Sequence, residues 1–236
     1  MKDYGVVIPV YTNEANLFMV DRCIEMLDID PKRVLLVDNT PGNLCKKYAD
    51  MGFNISYHPE NLGVARSWNL GIKLGHDWTF IVGCTMRFPE GFSAVVEMLD
   101  AFEGDKIFRT PQGWHCNAIS KELIEQIGYF DENFYPAYME DSDFQRRMVL
   151  ADIVPGGYQD VPAYCQKTSQ AMEVGLQTNP KRSTAYWIKK WGGNGDPNYP
   201  KFTKPFGDKP LNYWPEKTIQ ELIDEWNHEE AKCDLV

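Results

Sequence analysis

Three carboxylates fall within four residues at Glu140-Asp141-Ser142-Asp143, directly ahead of Phe144, Met148 and Ala151, whose spacing predicts a helix. Acids in a first helical turn are held ionised by the helix dipole and by unpaired backbone N–H groups, and an ionised carboxylate can take a proton. Glu140, Asp141 and Asp143 are therefore candidates for acid-base work. A plain N-cap with solvated neighbours uses the same residues equally well, so the cluster alone leaves both readings open. A second segment, Asn61-Leu62-Gly63-Val64-Ala65-Arg66-Ser67-Trp68-Asn69-Leu70-Gly71, surrounds one arginine with glycines and asparagines. Backbone can approach a polar ligand there and Arg66 can meet a phosphate, although two glycines relaxing a helix beside a solvated arginine would read the same way.

Positioning such residues requires a rigid frame, and the first ninety residues predict one. Gly5 to Tyr11 reads as a buried strand that delivers the polar loop Thr12-Asn13-Glu14, followed by a helix through Leu17, Val20, Ile24 and Leu27. Arg33 to Val37 predicts a second strand delivering Asp38-Asn39. A turn at 40–43, a helix over 44–51, a third strand over 54–58, a helix over 67–74 and a fourth strand over 78–82 complete the alternation. This pattern predicts an α/β fold, a mostly parallel sheet flanked by helices, whose ligands gather at the strand carboxyl ends. Beyond it come a helix over 92–102, strands over 106–110 and 114–119, and a helix from Lys121 ended by Gly128. From Asn179 the chain is rich in Trp, Tyr, Pro and Gly until an amphipathic helix over 215–231. The organisation expected is a core over 1–170 and a C-terminal extension over 171–236 packed on it.

Composition excludes several classes. At 236 residues and 43% hydrophobic the chain can bury a substantial core, and its formal net charge of -10 disfavours nucleic acid and anionic membranes as partners. No run reaches membrane-spanning length, and no apolar leader precedes the first strand. The six cysteines, Cys23, Cys45, Cys84, Cys116, Cys165 and Cys233, lack close pairing, which suits reduced thiols in a cytoplasmic protein.

Taken in order, Val7-Ile8-Pro9-Val10-Tyr11 with Asn13-Glu14, Leu36-Val37-Asp38-Asn39, Asn61-Leu62-Gly63 with Asn69-Leu70-Gly71, Gly128-Tyr129-Phe130-Asp131-Glu132 and Glu140-Asp141-Ser142-Asp143 resemble family 2 glycosyltransferases of the GT-A fold. The resemblance spans about residues 4 to 165, with Lys190-Trp191-Gly192-Gly193 similar to a segment of some small members. It implies transfer of a sugar from a nucleotide-sugar donor, a UDP-sugar or similar, to an acceptor hydroxyl with inversion. Asp141 matches the general base, and Glu140 and Asp143 would position neighbours or the acceptor. Pro9, Tyr11 and Glu14 would border the nucleotide, Asp38 with Asn39 would meet the base, and Arg66 would approach the diphosphate. The acceptor could be a glycan, a small molecule, a lipid-linked carrier or a protein.

One departure stands out. The family places an aspartate motif for a divalent cation after the fourth strand, where this chain has Gly83-Cys84-Thr85-Met86, and Tyr164-Cys165-Gln166 stands where many relatives carry a histidine ligand. Gly83 and Thr85 supply no carboxylate for Mn or Mg, so no metal ligand is assigned, although either residue could line the diphosphate. The leaving charge would then need cationic side chains, drawn from Arg66, Arg87, Arg182 and Lys190, with Arg66 and Lys190 favoured because they lie in family-like segments. Zinc on Cys84, Cys116, Cys165 and His115 is an alternative. Of the aromatic residues, Trp191 and Tyr138 are singled out as sugar contacts. Two rivals are a degenerate glycosyltransferase that binds nucleotide or glycan without turnover, and a nucleotidyltransferase, which would want a glycine-rich loop where Thr12-Asn13-Glu14 stands.

Overall fold

The computed structural model describes residues 1–166 and 180–233, the side chains of 180 and 229–233 excepted. The predicted boundary between 170 and 171, the residue Asn179 and the side chain of Cys233 lie outside what is described. The chain forms two compact units. One comprises Met1–Asn61, Ser67–Gln126 and the stretch from Pro155; the other comprises Leu62–Arg66, Ile127–Val154 and the C-terminal stretch. Residues 127–154, expected in the core, thus group with the expected extension.

The first unit is built on strands β1 (Tyr4–Val10), β2 (Val34–Asp38), β3 (Asn54–Tyr57), β4 (Trp78–Val82), β6 (Ile107–Phe108) and β7 (Cys116–Ser120), with β5 (Met86–Arg87) and β8 (Tyr164–Cys165) forming a separate antiparallel pair. The six-stranded sheet runs β3-β2-β1-β4-β7-β6. Strands β1 to β4 are parallel, while β7 runs antiparallel to both β4 and β6, which makes the sheet α/β and mostly parallel as predicted. Pairing aligns Ile8 with Leu36 and Val6 with Phe80. The chain moves outward from β1 to β3 and then returns to place β4 on the other side of β1, so the β1/β4 junction is the topological switch point, the place at which open α/β sheets bind ligands.

Strands β1, β2 and β4 are buried along nearly their whole length and mostly apolar, as expected where helices cover both faces. Val6, Ile8, Val34, Leu36, Phe80 and Val82 pack with Val20, Cys23 and Ile24 of α1 (Leu17–Ile24) and with Phe92, Val95 and Leu99 of α3 (Phe92–Ala101). Val7 faces the other way, toward α2 (Val64–Ile72). A Cβ on Gly71 would stand 2.3 Å from the Val7 Cβ, so this glycine exists for the close approach of helix to strand. Helix α4 (Lys121–Ile127) follows β7 directly.

The second unit contains α5 (Glu140–Leu150), α6 (Pro180–Trp191) and α7 (Ile219–Cys233), around a small core of Phe134, Trp187 and Trp191. Helix α7 starts four residues later than its apolar pattern predicts. Thr218 and Glu221 form a reciprocal cap, the Thr218 N–H donating to the Glu221 carboxylate at 2.7 Å and the Glu221 N–H to the Thr218 hydroxyl at 3.2 Å. Among the described residues no helix is long and apolar enough to cross a membrane.

Candidate active site

In the first unit the predicted donor residues other than Arg66 lie at or just beyond the carboxyl ends of β1 and β2, and Gly83 and Thr85 follow the carboxyl end of β4 across the switch point. Pro9 and Tyr11 are half-buried at the end of β1, and Glu14 is exposed in the short turn that follows. That turn is pre-shaped: the Thr12 N–H donates to the Thr40 hydroxyl at 3.1 Å, and the Asn13 side chain accepts from the Asn16 N–H at 3.0 Å. Asp38, expected as a base contact, is occupied by its own loop. It is fully buried, and its two oxygens accept from the N–H groups of Thr40 at 2.9 Å and Cys45 at 2.8 Å. Its carboxylate closes the loop after β2, because a strand end followed by Thr-Pro-Gly-Asn leaves backbone donors that need an acceptor. Asn39 is buried too, its amide donating to the Ser67 hydroxyl at 3.0 Å. Both residues shape the strand ends.

The turn after β4 brings Gly83 and Thr85 together without a carboxylate. The Gly83 N–H donates to the His115 carbonyl at 2.8 Å, and a Cβ on Gly83 would meet the His115 Nδ1 at 3.2 Å. The imidazole thus lies beside the space that a longer side chain at 83 would enter, a neighbour for which sequence offered no signal. Thr85 is buried, with its hydroxyl 3.4 Å from the Cys165 thiol. This donor set does not fit a hard divalent cation. Among the described residues no three His, Cys, Asp or Glu side chains gather as a metal site would require, Cys84, Cys116, Cys165 and His115 included. Burial instead pushes the Cys84 and Cys116 thiols up to about 12, as expected of apolar core cysteines. A separate open cavity of about 660 Å³ in this unit is lined by Glu90, Glu97 and Asp160, charges that disfavour an anionic ligand.

In the second unit the acid cluster occupies the first turn of α5, as predicted, and the three carboxylates have three environments. Tyr138 and Met139 both take left-handed backbone conformations, with φ of 76° and 72°, and swing the chain sharply into the helix. Tyr138 remains exposed and available to a ligand. Asp143 is fully buried between the Lys190 ammonium at 2.6 Å, the Arg147 guanidinium at 2.9 Å and the Trp191 indole N–H at 2.8 Å. Although burial opposes ionisation, these cations and hydrogen bonds hold its carboxyl below the usual range. Glu140 is buried with its Oε2 lacking any hydrogen-bond partner. Burial, reinforced by the Asp141 charge, pushes it up to about 8. Asp141 alone is partly exposed; its Oδ1 accepts from the Ser142 N–H at 2.7 Å, and its Oδ2 accepts no hydrogen bond among the described residues.

Two further expectations are corrected here. Lys190 is fully buried, bridging Asp131 at 2.8 Å and Asp143, so its charge is neutralised inside the unit and cannot face a diphosphate. Trp191 is fully buried on the same network and offers no face to a sugar. Arg66 pairs with Glu132 at 2.6 Å and donates to the Lys217 carbonyl at 2.8 Å. Arg182 donates to the Asn133 and Tyr135 carbonyls and pairs with Glu225 at 3.0 Å. Segments that carried the family resemblance are thereby tied to one another: Asp131 to Lys190, Glu132 to Arg66, and Asp143 to Lys190 and Trp191. Gly63 belongs to this framework, since at φ 78° a Cβ there would stand 2.8 Å from the Pro136 carbonyl oxygen.

No protein-family model matches the chain, and no curated protein matches it. Solved structures do. Against the mannosyltransferase PcManGT from Pyrobaculum calidifontis, solved with GDP-Man and Mn2+, the TM-score is 0.51 at 13% identity, covering 68% of this chain and 55% of that one. Against S. aureus TarS 1-349 in complex with UDP-GlcNAc it is 0.54 at 14% identity, covering 78% and 64%. Against GalNAc-T7 with UDP, GalNAc and Mn2+ it is 0.51 at 10% identity, covering 80% and 48%. The chain therefore spans about half to two thirds of the length of these structures. At such identities the likeness is one of fold, and the fold is GT-A.

Proposed function

We propose that this chain is a glycosyltransferase that moves a sugar from a nucleotide-sugar donor, a UDP-sugar or similar, to an acceptor hydroxyl with inversion. The observation that carries the reading is Asp141: within a GT-A fold it is the one carboxylate of the α5 first turn that is partly exposed and keeps an oxygen without a hydrogen bond among the described residues. Its neighbours cannot serve as well. Asp143 is neutralised by Lys190 and Arg147, and Glu140 holds its proton at neutral pH. Asp141 would take the proton of the acceptor hydroxyl as that oxygen bonds to the anomeric carbon. The bond from that carbon to the phosphate oxygen breaks in the same step, and the nucleoside diphosphate departs with the electron pair. Orientation by the Ser142 N–H leaves Oδ2 as the proton acceptor.

The test is release of free nucleotide from a panel of UDP-, GDP-, CMP- and dTDP-sugars, followed by NMR for wild type and Asp141→Asn. Turnover of one donor by wild type and its loss in a folded Asp141→Asn supports the reading, and the anomeric configuration of the product decides inversion. Turnover unchanged in Asp141→Asn removes Asp141 as base. Binding of a nucleotide sugar without turnover in any acceptor screen would favour a binding protein on the same fold.

A further inference from the structure

Of the four cations that could answer the charge of a departing diphosphate, three are already answered by protein. Arg66 pairs with Glu132, Arg182 with Glu225, and Lys190 with Asp131 and Asp143. Arg87 is different. It is only 3% exposed, yet among the described residues it has no carboxylate partner; its Nη1 donates to the carbonyl of the adjacent Met86 at 2.7 Å, and its Nη2 has no partner at all. An unpaired guanidinium in a protein interior is costly, and such groups are ordinarily matched by an anion.

Position adds a second argument. Arg87 lies on β5, immediately after the turn that brings Gly83 and Thr85 to the carboxyl end of β4, beside the switch point of the sheet. Met86 and Phe88 on either side of it belong to the apolar core. The nearby thiols of Cys23 and Cys84 supply no counter-charge, since burial keeps both protonated. The same stretch that lacks carboxylates for a cation thus carries a cation of its own without an anion.

We infer that Arg87 takes the place of a metal ion: it is a binding residue whose free Nη2 receives a phosphate oxygen of the donor diphosphate, allowing the donor to bind without a divalent cation. The identity of that anion rests on the nucleotide-sugar reading; the presence of an anion site at Arg87 does not. A planar guanidinium suits phosphate, and its fixed charge would stabilise the leaving group as the sugar–oxygen bond breaks.

Calorimetric titration with UDP and, separately, with inorganic pyrophosphate tests this, each in EDTA and in Mn2+, on wild type, Arg87→Met and Arg87→Lys. The expected result is binding to wild type undiminished by EDTA, weakened about ten- to hundredfold in Arg87→Met and less in Arg87→Lys. Ligand-free Arg87→Met should denature in urea at or above the wild-type midpoint, because a guanidinium kept for a ligand strains the empty protein, whereas one kept for structure would stabilise it. Should Arg87→Met fail to fold, Arg87→Lys and the wild-type titrations in EDTA carry the test. Binding that requires Mn2+, affinity unchanged in both variants, or no binding of either probe in EDTA overturns the inference. Pyrophosphate bound through Arg87 while no nucleotide binds would uphold the anion site and reject the donor reading. Nucleotide bound independently of Arg87 would do the reverse.

Discussion

Replacing Glu140 by Gln should change how the stability of this protein depends on pH. Glu140 is buried at the start of α5 with one carboxyl oxygen unpartnered, and it faces the charge of Asp141. Burial first and that charge second raise it from 4.5 to about 8. The folded chain therefore keeps this proton up to about pH 8, whereas the unfolded chain releases it near 4.5. Between those values the folded state binds more protons, so stability falls as pH rises: the contribution is complete below 4.5 and is lost as pH passes through about 8. At 1.36 kcal/mol for each pH unit, a gap of about 3.5 amounts to about 5 kcal/mol, of which about 4 kcal/mol falls between pH 5 and pH 8.5. Gln keeps the shape and does not titrate. Urea denaturation of wild type and Glu140→Gln at pH 5, 7 and 8.5 should show the variant gaining on wild type by that order of magnitude. Two curves that remain parallel would refute the reasoning, for they would mean that Glu140 is ionised in the folded protein or reaches water.

Other perturbations follow from the same contacts. Lys190→Met leaves Asp131 and Asp143 facing each other without their shared cation, and should cost about 3–5 kcal/mol in denaturant midpoint measurements. The carboxyl of Asp143, held below 3.8, acts with opposite sign to Glu140: its stabilisation is present above 3.8 and is lost on further acidification, so Asp143→Asn should flatten the acid limb of a pH–stability profile. Gly71→Ala places a methyl against Val7 where no space exists, and thermal melts should fall by an amount equivalent to about 1–3 kcal/mol. Thr218→Ala removes one half of the α7 cap at about 1 kcal/mol, with little effect on nucleotide binding.

Local physics made much of the fold legible in sequence. Strand β4 is found over the residues predicted and β1, β2, β3, β6 and β7 lie within a few residues of theirs, while the short pair β5 and β8 was not predicted; the buried strands β1, β2 and β4 are the plainest because their apolar runs are visible in one dimension. The start of α5 at Glu140 was equally visible, since acids before a helical repeat satisfy its dipole. Register gave way where capping decided instead of periodicity, as at Thr218 and Glu221.

Partnership was not legible. Arg87 stands between Met86 and Phe88 and Lys190 between Lys189 and Trp191, and sequence favoured Lys190 for a ligand because its segment looks familiar. Folding reverses that order: Lys190 finds Asp131 and Asp143, 59 and 47 positions away, while Arg87 finds, among the described residues, only its neighbour's carbonyl. Asp38 likewise proved to be engaged by its own loop, and Glu140 and Asp143, three residues apart, were driven to opposite protonation preferences by what packs over them. Apolar periodicity is a property of neighbours along the chain and can be read there. Charge compensation and desolvation are sums over atoms brought close from distant segments, so only the tertiary structure decides which carboxylate stays open, which keeps its proton and which cation is left unpaired.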